Sequence, residues 1–400
     1  MNDWHLPRGF RFAGSHCGIK DASRKDLALI FTEVPASAAG VFTRNQVRAA
    51  PVRLCQQRLP TASARAVVIC SGNANACTGQ RGLDDARRMA ATTAEALGCR
   101  EEQVLVASTG IIGQPLPMER IEPGIRALAD QLEASPQGLE HAAQGILTTD
   151  TRIKVVTRQI EANGGTIHLT GLAKGAAMIG PNMATMLAFV CTDAAITPED
   201  LGRLVTRASE YSFHCVSVEG HTSTNDTLLV LANGQATPHA PSPLKGEALA
   251  RFASELEHVC ANLARAIAED AEGAKHLITI EVEGLRDQQE AWRVAKTVAD
   301  SALVKTAIFG ADPNWGRIVS AAGYAGVAFE ENDLSLWLGD VLLYRAGTPQ
   351  PFDARTASAY LKRERNIHLR LHFTLGSGRC TFWTCDLTYE YVRLNAEYTT

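Results

Sequence analysis

Apolar runs with the look of buried strands alternate with helix-patterned stretches along the whole chain. This intermixing predicts an α/β fold with layered sheets and helices outside them. Two further observations support it. Residues 66–70 (Ala-Val-Val-Ile-Cys) and 104–107 (Val-Leu-Val-Ala) are nearly continuous apolar runs, the pattern of strands buried on both faces. The chain has 400 residues, 46% of them hydrophobic, enough for a substantial core and for two or three domains.

Taken in order, Pro7–Gly14 and Gly18–Lys20 are Gly-rich turns leading to residues 26–31, an aspartate followed by an apolar run, which predicts short strands entering a sheet. Residues 39–43 predict a second short strand. The run at 66–70 ends in Ser71-Gly72-Asn73-Ala74-Asn75-Ala76-Cys77-Thr78-Gly79, small and amide-bearing residues that suit either close backbone approach to a ligand or a plain turn. A helix is predicted over about 83–97, with Asp84 and Asp85 in its first turn and Gly98 at its end. The run at 104–107 empties into Ser108-Thr109-Gly110-Ile111-Ile112-Gly113. A threonine and a glycine at a strand end can aim a hydroxyl and a backbone N–H at one point, as an oxyanion hole requires, although an ordinary turn has the same composition. A helical stretch near 139–146 precedes Leu147-Thr148-Thr149-Asp150-Thr151, a polar pocket or a capped turn. Residues 166–172 predict a strand ahead of Lys174.

The stretch 174–187 reads KGAAMIGPNMATML. A small-residue run reaches a Pro-Asn turn and then Thr185, at the mouth of the apolar run 186–190. A hydroxyl there, with small Ala184 before it, is placed to attack its own preceding carbonyl. Hydrolysis of the resulting ester would free Thr185 as a new N-terminus. Its α-amine titrates near neutrality and can act as base for its own hydroxyl. The alternative is a turn and strand whose threonine only caps a backbone group.

Beyond it, Thr197-Pro198-Glu199-Asp200 starts a helix with apolar Leu201, Leu204, Val205 and Ala208 on one face. Residues 217–227 precede a strand at 228–231. A Pro/Ser-rich segment at 237–243 reads as a linker, followed by a long amphipathic helix carrying Leu249, Phe252, Leu256, Val259, Leu263 and Ile267. A strand at 276–282 and a helix over 286–303 lead to 309–317, a turn packed by Trp315. Strands are then predicted at 334–338, 341–344, 367–375 and 380–387. The tail 393–400 alone would be expected to fray.

The KGAAMIGPNMATML stretch resembles the self-cleavage segment of the glutamate N-acetyltransferase (ornithine acetyltransferase) family of arginine biosynthesis, and the rest of the chain matches that family from end to end. The resemblance implies two sheets sandwiched between helices, as in other N-terminal-nucleophile enzymes, with a smaller C-terminal α/β domain. It implies a cut between Ala184 and Thr185, giving an α chain 1–184 and a β chain 185–400, and a structural division near 1–240 and 241–400. Thr185 is then the nucleophile, and Thr109 with Gly110 holds the oxyanion. Thr148, Lys174, Glu272, Asn395 and Thr400 position the amino-acid substrate. Ala271 replaces the first glycine of the family's GEGA-type motif, and His221 stands where the family usually has aspartate, which leaves fine specificity open. The implied reaction moves acetyl from N-acetylornithine to glutamate by ping-pong kinetics in an α2β2 assembly. The family implies no cofactor, and acetyl-CoA remains open as a further donor.

Two rival readings stand beside this one. An autocleaving aminopeptidase of the β-peptidyl type shares the nucleophile but hands the acyl group to water. An uncleaved, non-catalytic binding protein is the other, against which Thr185, Thr109 and Lys174 together speak. The net charge of −4 with no Lys/Arg block argues against a nucleic-acid partner, and no apolar run reaches membrane-span length. The opening residues lack the apolar stretch of a secretory signal, so the ten cysteines are expected as free thiols in a reducing cytoplasm. Cys380 and Cys385 lack the paired spacing of a zinc site, and no metal is expected.

Overall fold

The computed structural model describes residues 4–162, 165–180, 186–236 and 242–397. The strands of the first sheet are β1 (Phe10–Ser15), β2 (Leu27–Phe42), β3 (Thr61–Asn73), β4 (Val104–Ile111), β5 (Lys154–Ala162), β6 (Gly165–Lys174), β7 (Leu187–Thr192) and β8 (Thr227–Ala232). They run in the order β4-β3-β2-β8-β7-β6-β5, with β1 on the side of β2. The β3–β4 and β7–β8 pairs are parallel and the others antiparallel.

Strand β2 corrects the sequence reading of two short strands at 26–31 and 39–43. It is one 16-residue strand. Its first part pairs with β3 and its last part with β8, and the register with β3 shifts between Phe31 and Ala38. The irregular stretch contains Pro35, which lacks the N–H a regular ladder needs.

The side-chain alternation shows what the irregularity does. Val67, Ile69, Leu105 and Ala107 from one half of the sheet share an apolar cluster with Leu187, Phe189, Cys191, Leu229 and Leu231 from the other half. Ala66, Val68, Val104 and Val106 face the opposite way, against the helices Gly79–Leu97 and Met118–Ala129. Ala188, Val190, Leu228 and Val230 face the helices Pro198–Glu210 and Gly246–Glu269. Period-two side chains on two strand sets thus build a helix–sheet–sheet–helix sandwich, whose two inner layers are halves of one hydrogen-bonded sheet. This is the layered α/β architecture that the sequence predicts.

The second sheet comprises β9 (Leu277–Leu285), β10 (Ser335–Leu338), β11 (Val341–Arg345), β12 (Thr348–Pro349), β13 (Asn366–His372) and β14 (Gly378–Cys385), in the order β12-β11-β10-β13-β9-β14. The helix Gly246–Glu269 joins this part to the first, and one apolar cluster runs from Leu169 and Val190 through Leu256, Leu263 and Ile267 to Ile280 and Leu369.

Helix ends follow the local chemistry in some places and not in others. Thr197 accepts from Asp200 N–H at 3.2 Å and caps the helix Pro198–Glu210. Gly98 closes Gly79–Leu97 in the left-handed conformation. That helix starts earlier than predicted, so Asp84 and Asp85 lie past its first turn. The single helix expected over 286–303 is two, Gln288–Asp300 and Ala302–Phe309, divided at Ser301, whose side chain accepts from Val304 N–H at 3.3 Å. All ten cysteines are free thiols, and among the described residues no helix is long and apolar enough to cross a membrane.

Candidate active site

Six separated stretches of chain converge on one pocket of about 100 Å³, lined by Thr109, Gly110, Thr148, Lys174, Glu272 and Asn395 among others. All six are residues singled out in the sequence. Thr109 and Gly110 end β4, where Gly110 has φ +135°, and a Cβ there would come within 2.3 Å of the Gly72 carbonyl carbon. Only glycine allows β3 and β4 to lie this close at the pocket wall.

Lys174 ends β6 and is fully enclosed, its Nζ donating to Thr148 Oγ1 at 3.3 Å. Burial pulls its pKa down, and the nearby carboxylates of Asp150, Asp226 and Glu272 resist that. Asp150 follows the Thr148-Thr149 pair and accepts from Gly175 N–H at 2.7 Å and from Thr148 N–H at 3.1 Å. It therefore ties the threonine turn to the end of the lysine's strand. Burial alone would raise its pKa, but Lys154, Lys174 and these hydrogen bonds overcome it and hold the carboxyl at about 2. Lys154 bridges Asp150 at 2.7 Å and Asp270 at 2.6 Å, in a triad whose side chains are at most 4% exposed.

Glu272 N–H donates to Ala176 O at 2.9 Å, and the Glu272 carboxylate accepts from Asn395 Nδ2 at 3.2 Å. Asn395 lies on the helix Tyr389–Glu397, where fraying would be expected from the sequence alone. That helix docks on Gly273, which has φ +66° and whose added Cβ would lie 2.5 Å from Tyr391 N. The second glycine of the motif around Glu272 is thus needed for close approach of the C-terminal helix. Ala271, at its altered first position, is buried in the core.

Thr185 and Ala184 lie outside the described residues, as does Thr400. Their neighbours on the chain do not. Ala177 and Met178 line the pocket, and Met178 holds a left-handed φ of 56°. Ile179 O accepts from three successive N–H groups, those of Val218, Glu219 and Gly220, at 2.8 to 3.2 Å. A Cβ on Gly180 would sit 2.3 Å from the Gly220 carbonyl carbon. On the far side, Met186 N–H donates to Asp226 Oδ1 at 3.2 Å. Asp226 is fully buried, and its other oxygen has no hydrogen-bond partner among the described residues. Burial pushes its carboxyl well above the usual range, against Met186 N–H and Lys174.

Sequence reasoning missed several participants. Ser223, Thr224 and Asn225 line the pocket, and Asn225 Nδ2 donates to Ala74 O at 2.6 Å and to Ser108 O at 2.7 Å. This amide fastens the 73–77 loop and the end of β4 to the pocket rim. The available signal was the polar run 222–227 directly before an apolar strand, since five of its six residues are buried. The amides of the 71–79 loop serve the chain itself: Asn73 Nδ2 donates to Gln114 O and Pro115 O, and Asn75 Nδ2 to Gly82 O. His221 is exposed and does not line the pocket. Asp312 and Arg317, whose charges in the 309–317 stretch could have served a site, do not line it either. Asn314 caps the helix Trp315–Gly323, and Trp315 stacks on Tyr344 with centroids 5.5 Å apart. Among the described residues no group of three or more His, Cys, Asp or Glu side chains could hold a metal ion.

The ArgJ family model matches residues 11–400. The chain belongs to the ArgJ family. Its ArgJ relatives include the arginine biosynthesis bifunctional protein ArgJ of Synechocystis sp., 45% identical over 416 aligned positions covering both chains completely. The protein of the same name from Geobacter sulfurreducens is 46% identical, with 98% of this chain and 99% of that one covered. Among solved structures, the arginine biosynthesis bifunctional protein ArgJ of Bacillus halodurans is 40% identical with a TM-score of 0.51, matching 98% of that chain and 52% of this one. As a member of the ArgJ family this chain is an acetyltransferase of arginine biosynthesis.

Proposed function

We propose that this ArgJ protein cuts itself between Ala184 and Thr185 and then moves acetyl from N2-acetyl-L-ornithine to L-glutamate through an acetyl-Thr185 intermediate. The observation that carries this reading is the convergence of Thr109, Gly110, Thr148, Lys174, Glu272 and Asn395 on one pocket next to the chain that leads into and out of residue 185. The Thr185 hydroxyl attacks the acetyl carbonyl of N-acetylornithine, and its own α-amine takes the hydroxyl proton. The tetrahedral oxyanion is received by the Thr109 hydroxyl and the Gly110 N–H. The proton passes to the departing ornithine amine, leaving the acetyl ester, which the glutamate amine then attacks in the reverse sense.

Both amino acids share one α-amino-acid half, so one set of charges serves both. The enclosed Lys174 ammonium faces the α-carboxylate and Glu272 the amino end, with Asn395 and Thr400 closing over them. Acetyl-CoA is carried as a second donor to the same Thr185. The fold supports a cut that leaves the two products together. β8 lies between β2 and β7, and β7 pairs with β6, so strands from 185–400 hydrogen-bond on both sides to strands from 1–184. The products are read as an α2β2 assembly in the cytoplasm, with a main unit over 1–240 and a C-terminal unit over 241–400.

The test is mass analysis of purified protein followed by the half-reactions. Two chains are expected, the second beginning at Thr185, with Thr185→Ala full length and inactive. N-acetylornithine alone should add one acetyl group to the β chain, and glutamate should discharge it. A different new N-terminus would move the nucleophile. Equal loss of acetyl to water with and without glutamate would make the enzyme a hydrolase.

A further inference from the structure

One stretch of chain, residues 217–227, holds both flanks of the cut proposed above. On the near flank Ile179 is fixed through both of its peptide groups. Its N–H donates to Glu219 Oε1, and its carbonyl accepts from Val218, Glu219 and Gly220 N–H. On the far flank Met186 N–H donates to Asp226 Oδ1 at 3.2 Å, and Met186 O accepts from Thr227 N–H at 3.1 Å. Each carboxyl receives the N–H of a residue 40 positions earlier in the chain, so the acceptors are spaced as the flanks are. The stretch is itself pinned. Ser217 Oγ donates to Asp300 Oδ1 at 2.5 Å, Asp300 pairs with Lys296 at 2.7 Å, and Thr43 N–H donates to Asp226 O at 3.0 Å.

Glu219 and Asp226 each use one oxygen in this way and bury the other without a hydrogen-bond partner among the described residues. That is a costly means of holding two backbone N–H groups. Connecting β6 to β7 does not call for it, because an antiparallel pair can be joined by a two-residue turn. Burial raises Glu219 to about 8; Lys305 opposes the rise, and Glu272 and Asp300 add to it. Burial likewise raises Asp226, against Met186 N–H and Lys174. A carboxyl that keeps its proton offers one acceptor and one donor, as a side-chain amide does.

We infer that Glu219 and Asp226 are positioning residues for self-cleavage, clamping the chain before and after the cut so that the Thr185 hydroxyl meets the Ala184 carbonyl. The inference rests on the cut falling between Ala184 and Thr185. In that step the Thr185 oxygen bonds to the Ala184 carbonyl carbon as the carbon–nitrogen bond breaks. The hydroxyl proton ends on the Thr185 nitrogen, and water then splits the ester into the Ala184 carboxylate and the Thr185 hydroxyl. Glu219 and Asp226 exchange no proton in it. They act through the backbone, where a misplacement of about 1 Å can cost about 10²-fold in rate.

The experiment makes the full-length precursor by cell-free synthesis and follows its conversion to two chains by pulse–chase. Wild type is compared with Glu219→Ala, Glu219→Gln, Asp226→Ala, Asp226→Asn and Gly180→Ala, and thermal midpoints of the uncut chains are set against Thr185→Ala to register any loss of folding. Both carboxyl-to-alanine variants should be cut about 10–100-fold more slowly. The Gln and Asn variants keep the acceptor oxygen and place an N–H where the carboxyl carries its proton, so they should be cut at close to the wild-type rate. Gly180→Ala leaves both carboxyls in place but sets a methyl 2.3 Å from the Gly220 carbonyl carbon, so it too should slow the cut. It tests the clamp even where an alanine at 219 or 226 unfolds the chain. Wild-type rates in the folded alanine variants, or in Gly180→Ala, would overturn the clamp. Amide variants as slow as the alanine ones would overturn it as well, because the carboxyls would then do more than hold the backbone. In each of these cases the cut at Thr185 stands. A wild-type precursor that never yields a chain beginning at Thr185 would instead bring down the reading on which the clamp rests.

Discussion

Replacing Lys154 by methionine tests whether the buried triad behind the pocket carries both stability and geometry. The Lys154 ammonium lies 2.7 Å from Asp150 and 2.6 Å from Asp270, and the three side chains are 1%, 0% and 4% exposed. Methionine keeps the length of the side chain and removes the charge, so two carboxylates lose a shared partner in a place that water does not reach. Removing one member of a buried ion pair costs about 3–5 kcal/mol. With an unfolding entropy of about 2.1 cal/mol/K per residue, a chain of 400 residues should lose about 4–6 °C in midpoint. The sign with pH follows from Asp150, held at about 2 against a usual 3.8. A carboxyl with a depressed folded pKa contributes stability above 3.8 and loses it as pH falls through about 2. Without Lys154 the folded pKa of Asp150 rises, so less stability is lost on acidification, and the variant's deficit against wild type should be largest near neutrality and shrink as pH falls. Asp150 also accepts from Thr148 N–H and Gly175 N–H, so both half-reactions should slow together. Thermal scans from pH 3 to 8 with acetylation assays measure all of this. Lys154→Met/Asp270→Asn, which removes one of the stranded carboxylates, should recover part of the lost midpoint. A Lys154→Met midpoint within a degree of wild type at neutral pH would refute the reasoning.

Three further outcomes are expected. Thr109→Ala should lower turnover by about 10²–10³, the loss typical of one oxyanion donor, with a smaller change in KM, and unchanged turnover would remove Thr109 from the chemistry. Gly273→Ala places a methyl 2.5 Å from Tyr391 N at a left-handed φ, so it should loosen the helix Tyr389–Glu397, raise KM for both amino acids and expose the C-terminus to limited proteolysis. Burial raises Glu219 to about 8, although its carboxylate accepts from Ile179 N–H. The folded protein then binds the extra proton between the ordinary value of 4.5 and about 8, and stability should fall as pH rises through that window. Glu219→Gln should flatten that slope, and an unchanged slope in urea titrations would place the proton elsewhere.

Much of this molecule is written locally in its sequence. Strands β3, β4, β7 and β8 are legible because a buried strand needs an apolar side chain at nearly every position, and the start of Pro198–Glu210 because a threonine, a proline and two acids satisfy the free N–H groups and dipole of a helix end. Candidate site residues are legible through the long 174–187 motif and the shorter ones around 109, 148 and 272, and of these Thr109, Gly110, Thr148, Lys174 and Glu272 line one pocket. What local pattern does not encode is which distant groups meet. Lys154 and Asp270 are 116 residues apart, and a buried pair of opposite charges leaves no periodicity to read. The same holds for Asn225, which reaches back to Ala74 across 151 residues. Strand β2 looked like two strands because Pro35 interrupts its apolar pattern. Only the pairing of its first part with β3 and its last with β8 decides that one strand carries both halves of the sandwich. Secondary structure is set by neighbours within a few residues, whereas charge pairing, sheet order and cavity walls are set by the free energy of burying groups that the chain brings together only when folded.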